Sequence, residues 1–333
     1  MKKNLLFFLL FLSIFREAKC DGPLKKIILE GYTQNTYYRV TYFAEDTLVK
    51  KNEIDFFLHT FLQTASLWEE NSVISRINRN EEVELTDDFV SIFSKALEIA
   101  EITDGAFDIT VGKLVNLWGF GSKSGQEPTA AVVDSLRILT GYRKISIEGN
   151  RIIKENPGIE IDFNAIAKGY SVDLLSQLLL EKGIRSFLVD IGGEIRAGAL
   201  QPGAQKWRLG IEKPSAHASS EREIENVVEL SDKALATSGT YRKYREKEGR
   251  RFSHTIDPAT GYPVSHTLLS ASVIADECME ADALATAFMV MGLEKAILFL
   301  NENPRYDAYF IFSLPNGEMK SLCTPGFNNY LLK

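Results

Sequence analysis

Two periodicities of apolar residues along the chain predict a protein that contains both helices and strands. Apolar side chains recur every three or four positions over 46–68, which is typical of a helix with one buried face. A second helix is predicted over 86–105, from a Thr-Asp cap to a glycine, and a third over 129–141. Three helices are therefore predicted in the first half of the chain.

Short β-branched runs between turn-forming residues predict the strands. "KISIEGNRIIKE" (144–155) indicates a hairpin around Gly149-Asn150, and "IEIDFNAIAKGYSVDLLSQLLLEKG" indicates a strand ending at Asp162, a loop and a helix closed by Gly183. Helices and strands do not alternate regularly, so we expect an α+β fold with mixed or antiparallel sheets and flanking helices, in two closely joined lobes. Further strands are predicted at 186–191, 194–199, 207–212, 227–230, 251–256, 270–275 and 308–312.

The segment "ADALATAFMVMG" (281–292) predicts a helix buried on every side, yet it carries Asp282. Nine of its twelve residues are Ala, Leu, Phe, Met or Val, and burying an unpaired carboxylate costs several kcal/mol. Thr286 lies one helical turn further along the same face. The carboxylate therefore either forms a hydrogen bond to another helix or joins the Thr286 hydroxyl in binding Mg²⁺, which prefers hard oxygen ligands.

Composition excludes several classes of function. The 333 residues are 45% hydrophobic and 25% charged, ordinary for a globular protein, and the net charge of -7 argues against binding to nucleic acid. Cys278 and Cys323 are the only cysteines after position 20, and the four histidines show no metal-binding spacing. A disulfide framework and a zinc site are therefore not expected.

The N-terminal twenty residues have the features of a secretory signal. Lys2 and Lys3 precede an apolar run over 5–15, which is too short to span a membrane as a helix. We therefore expect export to the periplasm, either as a soluble protein or as a lipoprotein anchored at Cys20. Residues 21–333 are then expected to form a single domain.

Other segments each allow a structural and a functional interpretation. Lys168 in "IDFNAIAKGYSVD" lies at a predicted helix N-terminus, so it marks either an anion site or a simple strand-to-helix turn. In "DGAFDIT" (104–110), Phe107 and Asp108 offer a ring and an acceptor to a planar base, or belong to a plain turn. "DIGGE" (190–194) allows close approach of a ligand or a bend. His254 in "SHTIDPATGYP" is either structural or able to transfer a proton near neutral pH.

Six motifs in their order resemble the FAD:protein FMN transferases, the ApbE family. They are "TDGAFDITVGKLVNLWGFG", "IDFNAIAKGYSVD", "DIGGEIRAGA", "ALATSGTYR", "SHTIDPATGYPV" and "ADALATAFMVMG". The similarity runs over about 32–292, nearly the whole chain after the signal. It implies that FAD lies in a cleft between the two lobes, with Mg²⁺ bridging its pyrophosphate to the protein.

The resemblance also implies the roles of individual residues. Mg²⁺ would be held by Asp282, Thr286 and the backbone oxygen of Ala165. We assign the role of general base to His254. Contacts to the flavin and adenine would fall on Trp68, Ala106, Phe107, Asp108, Asp162, Lys168 and Ile256.

Enzymes of this family move FMN from FAD onto a threonine hydroxyl of a partner flavoprotein and release AMP. The expected partners are subunits of membrane redox complexes, such as the sodium-pumping NADH:quinone oxidoreductase. One position beside the flavin departs from the family pattern, because "TQNT" with Gln34 and Asn35 stands where Met-Gly is common. Polar groups there would either alter the surroundings of the flavin or favour hydrolysis over transfer, so a Mg²⁺-dependent FAD pyrophosphatase is an alternative. A flavin-binding protein without turnover is a third.

Overall fold

The structure is a computed structural model, and it describes residues 23–120, 128–214, 223–240, 244–247 and 250–333. The signal segment and Cys20 lie outside the described residues. Seven helices are described: α1 (Lys51–Ala65), α2 (Val73–Asn78), α3 (Asp87–Ile102), α4 (Gly112–Leu117), α5 (Ala130–Arg137), α6 (Ala167–Glu181) and α7 (Cys278–Glu302). The fourteen described strands are β1 (Lys25–Thr33), β2 (Thr36–Ala44), β3 (Ile145–Glu148), β4 (Arg151–Lys154), β5 (Phe187–Ile191), β6 (Glu194–Ala197), β7 (Trp207–Glu212), β8 (Ile224–Leu230), β9 (Lys233–Gly239), β10 (Tyr244–Lys247), β11 (Arg250–Ser253), β12 (Leu268–Ala275), β13 (Asp307–Ser313) and β14 (Met319–Cys323).

One eight-stranded sheet organises the fold. Its strand order is β1-β2-β5-β6-β9-β12-β13-β14, and every neighbouring pair is antiparallel. Three separate hairpins, β3–β4, β7–β8 and β10–β11, complete the described strands. The predicted α+β class, with an antiparallel sheet and flanking helices, is confirmed.

Helices cover one face of the sheet, and a hairpin covers part of the other. Apolar residues of α1 and α6 pack against β2 and β5, and α7 packs with α3 in a larger core that also includes β12. The β7–β8 hairpin packs on the opposite face, over β6, β9, β12 and β13. The strands at the centre of the sheet are therefore buried on both sides.

Helix α7 is apolar all round because it lies inside the protein. Its length and hydropathy would let it cross a bilayer, but most of that stretch is buried within the fold. Gly292, with a φ of 74°, interrupts the helical backbone, and glycine adopts such a conformation without strain. The expected fully buried helix is therefore present, with a break at its glycine.

Several predicted elements differ from the structure in their bounds; the helix expected over 129–141, for example, is α5, which ends at Arg137. The helix expected over 46–68 is α1, which begins at Lys51 and ends at Ala65. A strand was expected to end at Asp162, but the structure has an extended segment there that pairs with no described strand. The N–H of Asp162 donates instead to the carbonyl of Ile109, which lies in a loop. The strand expected over 251–256 ends at Ser253, so His254 follows it.

Candidate active site

The first turns of α6 and α7 meet at the centre of the candidate site. The backbone N–H of Gly169 donates a 3.0 Å hydrogen bond to Oδ2 of Asp282. A Cβ at position 169 would lie 2.5 Å from the carbonyl oxygen of Cys278, closer than real Cβ contacts. The helices approach this closely only because residue 169 is glycine, and this contact aims the Asp282 carboxylate at the N-terminus of α6.

Asp173, one turn further along α6, fixes the start of α7. Its carboxylate accepts hydrogen bonds from the N–H groups of Cys278, at 3.0 Å, and Met279, at 2.8 Å. These are N–H groups that a helix cannot satisfy internally, and the N-cap residue of α7 provides no side-chain bond. Arg196 on β6 pairs with the same carboxylate at 2.7 Å. Helix α7, and with it Asp282, is therefore locked to α6 and to the sheet.

Lys168 and Glu194 form an ion pair beside Asp282. Glu194, the first residue of β6, is 4% exposed, and its Oε1 accepts a hydrogen bond from the ammonium of the half-buried Lys168. Its other oxygen, Oε2, is buried and has no hydrogen-bond partner among the described residues. A buried carboxylate with an unsatisfied oxygen is costly, so this pair is a candidate for function rather than for stability.

Burial and mutual attraction shift the pKa values of this cluster. Burial raises the pKa of Asp282, against the opposing attraction of Lys168 and the hydrogen bond from Gly169. Burial also raises the pKa of Glu194, to about 7, although Lys168 acts in the other direction. Burial alone would lower the pKa of Lys168, but the two carboxylates outweigh it and raise that pKa. Lys168 therefore stays charged between two acids.

The chemistry of the predicted ligand set fits a hard cation. The hydrogen bond from Gly169 reaches Oδ2 of Asp282, and Oδ1 accepts none from the residues that the structure describes. Thr286 lies one turn further along α7, and Ala165 lies in the turn immediately before α6. No group of three or more His, Cys, Asp or Glu suitable for a metal occurs in the described part of the chain. One carboxylate with neutral oxygens suits Mg²⁺, which keeps water or phosphate in its remaining positions.

The tip of the β1–β2 hairpin touches the same end of α6. Gln34 and Asn35 have φ values of 48° and 58°, the left-handed pair of a two-residue hairpin turn. The Gln34 side-chain amide donates to Ser171 Oγ at 2.7 Å, and Ser171 donates to the carbonyl of Ala167. Gln34 is thereby held at the helix that carries Lys168.

The turn at 104–110 is built mainly by its own hydrogen bonds. Asp108 accepts from the N–H and hydroxyl of Thr110 and from the N–H of Tyr142; burial nevertheless raises its pKa. The ring of Phe107 is almost fully buried in the core. The Phe107 ring, which was predicted to offer a stacking surface to a planar base, therefore lies in the core, and the ligand contacts predicted for Ala106, Phe107 and Asp108 stay predictions.

Asp162 joins this turn to the loop before α6. Its backbone N–H donates to the carbonyl of Ile109 at 2.7 Å, and its Oδ1 accepts from the N–H of Asn164 at 2.7 Å. Burial raises the pKa of Asp162 despite that hydrogen bond. The structure therefore connects the 104–110 turn to Ala165 and Lys168 through a short stretch of chain.

His254 and Ile256 lie in a loop packed on α4 and α5. Ile256 belongs to a small core with Leu114, Trp118 and Val133, and Trp118 Nε1 donates to the carbonyl of Gly261 at 2.9 Å. The half-buried ring of His254 makes an edge contact with Phe120, with centroids 6.5 Å apart. These contacts place both residues with the segment that follows the 104–110 turn.

The structure brings some predicted residues together by direct contact and leaves others separate. Gln34 and Asp282 both bond to the first turns of α6, the helix that carries Lys168. Trp68 lies in the loop after α1, where its side chain is exposed and its backbone N–H donates to Ser66 Oγ. The roles of all these residues in binding flavin remain predictions.

Sequence analysis missed Glu194, Asp173 and Ser171. Glu194 belongs to the "DIGGE" motif, in which only the two glycines were given a predicted role. An acidic residue directly after a glycine turn, at the start of an apolar strand, was the available signal. Asp173 and Ser171 lie on α6 within six residues of Lys168, but the residues that they connect to α6, Cys278 and Gln34, are more than 100 positions away in sequence.

Comparisons with known proteins agree on one family. A family model described as "ApbE family" matches residues 34–310. The FAD:protein FMN transferase of Vibrio cholerae is 37% identical over 300 residues, covering 87% of this chain and 89% of the relative. The enzyme of the same name from Haemophilus influenzae is 35% identical and covers 90% of each chain.

Solved structures give the same result for the fold. The flavin transferase ApbE from Vibrio cholerae superposes with a TM-score of 0.83 at 34% identity, covering 93% of this chain and all of that one. The apo form of the flavinyl transferase ApbE from Pseudomonas stutzeri gives a TM-score of 0.81 at 32% identity, covering 92% and 97%. The chain described here therefore belongs to the ApbE family.

Proposed function

We propose that this protein is a Mg²⁺-dependent FAD:protein FMN transferase that attaches FMN to a threonine hydroxyl of an acceptor flavoprotein and releases AMP. The observation that supports it best is the buried Asp282 carboxylate, which one backbone N–H holds at the N-terminus of α6 beside the ammonium of Lys168. Relatives named FAD:protein FMN transferase share a third of its residues over most of its length.

In this proposal, Asp282, Thr286 and the carbonyl of Ala165 would hold the cation. When bound, Mg²⁺ neutralises charge on the FAD pyrophosphate and makes its phosphorus easier to attack. The N-terminal N–H groups of α6 and the ammonium of Lys168 add positive charge at the same place. Because these groups are fixed before substrate arrives, they stabilise developing negative charge without reorganising.

The group transfer balances as a displacement at one phosphorus atom. The acceptor threonine oxygen forms a bond to the phosphorus on the FMN side, and the bond from that phosphorus to the bridging oxygen breaks. AMP leaves with the bridging oxygen, and the threonine proton passes to a base. We assign that base to His254, since imidazole can accept a proton near neutral pH and general-base assistance typically contributes about 10² to 10⁴ in rate.

The acceptor and the compartment are also part of the proposal. The N-terminal twenty residues have the composition of a secretory signal, so we propose action on exported flavoproteins of membrane redox complexes. Lipidation at Cys20 would keep the enzyme at the membrane where such acceptors lie. The net charge of -7 supports a protein partner rather than a nucleic acid.

The decisive experiment follows the FMN group. The protein without residues 1–20 is incubated with FAD, Mg²⁺ and a soluble acceptor domain that presents the target threonine. Mass spectrometry of the acceptor and chromatography of the nucleotides are then carried out on the same sample. We expect the acceptor to gain one phosphoester-linked FMN and AMP to appear in equal amount, both dependent on Mg²⁺.

Two outcomes would contradict transfer. Equal amounts of AMP and free FMN, with an unmodified acceptor, would identify an FAD pyrophosphatase, the activity that the polar Gln34 and Asn35 make worth testing. FAD binding without AMP would identify a flavin carrier. An acceptor with its threonine replaced by alanine is the matched control, because it keeps the docking surface and removes only the nucleophile.

A further inference from the structure

The Lys168–Glu194 ion pair lies beside the proposed cation site and contributes no obvious stability. Glu194 is 4% exposed, and Lys168, on the first turn of α6, has a side chain that is 31% exposed. Replacing an ion pair inside a protein with apolar side chains is often neutral or stabilising. A pair that is retained at such a place therefore calls for an explanation other than stability.

The residues around Lys168 indicate that its pairing with Glu194 prevents a bond between Lys168 and Asp282. Lys168 directly precedes Gly169, whose N–H binds Oδ2 of Asp282. Burial raises the pKa of the Asp282 carboxyl, and the attraction of the Lys168 ammonium opposes that effect, so the two charges interact. If Glu194 were absent, Asp282 would be the other buried carboxylate that attracts this ammonium. A bond from Lys168 to Asp282 would occupy the carboxylate that the cation needs.

Glu194 is itself held in place by backbone contacts. It follows the Gly192-Gly193 turn, in which the Gly192 N–H donates to the carbonyl of Tyr37 and the Gly193 N–H to Asp190 Oδ1. Its strand β6 lies between β5 and β9 in the central sheet. The backbone that carries Glu194 is therefore fixed by the sheet and the turn, and its buried carboxylate is bonded to the Lys168 ammonium.

We propose that Glu194 is a positioning residue that holds the Lys168 ammonium away from Asp282 and thereby keeps that carboxylate available to Mg²⁺. Glu194 need not touch the cation or FAD. The inference rests on the proposed function, because it assumes that Asp282 binds the cation. It adds to the site a residue that acts on Asp282 only through the lysine between them.

The test measures cation binding directly, without turnover. Mn²⁺ is titrated into the FAD-free protein and followed by electron paramagnetic resonance, and the Mg²⁺-dependent rise in the unfolding midpoint is recorded in parallel. Glu194→Leu should weaken Mn²⁺ binding by about tenfold to hundredfold, as is typical for residues that orient metal ligands. Glu194→Gln, which keeps an oxygen that can accept from Lys168, should lose less.

The double variant Lys168→Met/Glu194→Leu decides the mechanism. With no ammonium left to reach Asp282, Mn²⁺ binding should recover most of the loss seen in Glu194→Leu, and the apolar pair should fold. Two independent effects would instead add to within about twofold. A double variant that binds Mn²⁺ as weakly as Glu194→Leu would overturn the inference, since Glu194 would then act without Lys168.

Controls separate this inference from the proposed function. If the unmodified protein binds neither Mn²⁺ nor Mg²⁺, both the cation site and the role of Glu194 are wrong. If the unmodified protein binds the cation and Glu194→Leu binds it equally well, only the role of Glu194 is wrong. If Glu194→Leu does not fold, the comparison of Glu194→Gln with Lys168→Met/Glu194→Leu gives the same decision.

Discussion

Replacing Asp282 by asparagine should abolish activity while leaving stability almost unchanged. The change removes one buried negative charge and keeps the shape of the side chain. The amide oxygen of the new side chain can still accept the hydrogen bond from Gly169, a contribution of about 0.5–1.5 kcal/mol. The lost attraction to Lys168 is offset because a charge no longer has to be buried. We therefore expect the unfolding free energy without metal to change by no more than about 1 kcal/mol.

The expected effect on activity is much larger. Without its carboxylate, the proposed site keeps only neutral oxygens for Mg²⁺, and the pyrophosphate loses the charge that neutralises it. Loss of one preorganised electrostatic group typically costs about 10² to 10³ in rate, which is about 3–4 kcal/mol in the barrier. Mg²⁺-dependent AMP release from FAD should fall by at least that factor.

A second substitution at the same position separates charge from structure. Asp282→Ala removes the acceptor as well, so the buried N–H of Gly169 is left unsatisfied at a cost of about 1–3 kcal/mol. The two variants should be equally inactive but differ in unfolding midpoint, measured by circular dichroism without metal. Glu280→Gln is the matched control, because Glu280 is also buried on α7 but bonds to Tyr306 at 2.5 Å. AMP release by Asp282→Asn at the unmodified rate would refute the assignment of the cation site.

Three further predictions test other parts of the site. His254→Ala should slow transfer by about 10² or more while FAD affinity, measured by fluorescence, changes little; a collapse of binding with an unchanged rate would make His254 a ligand contact. Gly169→Ala should destabilise the fold by about 3 kcal/mol or more, since its Cβ would lie 2.5 Å from the Cys278 carbonyl oxygen; an unfolding midpoint equal to that of the exposed control Gln177→Ala would contradict the close packing. Burial raises the pKa of Glu194 from 4.5 to about 7, so the folded protein binds this proton more tightly than the unfolded chain does. The stabilisation from the protonated Glu194 carboxyl is therefore complete below pH 4.5 and is lost as the pH rises through 7. Glu194→Gln should therefore make the unfolding free energy fall less steeply between pH 4.5 and 7, and identical slopes in the two proteins would contradict the raised pKa of Glu194.

Local sequence signals predicted the elements whose boundaries are set locally. The Thr86 side chain caps α3 by accepting from the N–H of Phe89, and Gly149-Asn150 forms the predicted turn between β3 and β4. Caps and two-residue turns depend on a few adjacent residues, so a single sequence contains their determinants. The apolar character of α7 likewise predicted its burial.

Elements that depend on distant partners were predicted poorly. Asp162 was expected in a strand, yet its N–H pairs with the carbonyl of Ile109, more than 50 residues earlier. Such pairings are chosen by the tertiary fold and not by local preference, which is why sequence periodicity misassigned them.

The candidate site shows the same division between local and distant determinants. Asp282 and Thr286 are four residues apart on one helix, so their shared face is visible in the sequence. The groups around the Asp282 carboxylate come from elsewhere: Gly169 on α6 donates a hydrogen bond to it, and Glu194 on β6 is proposed to hold Lys168 away from it. Nothing in the neighbouring sequence requires a glycine at position 169 or a glutamate at position 194. Both requirements arise only when α6, α7 and β6 pack together. The position of the proposed metal-binding carboxylate is thus visible in the sequence of its own helix, whereas its proposed availability to a cation depends on the packing of α6, α7 and β6.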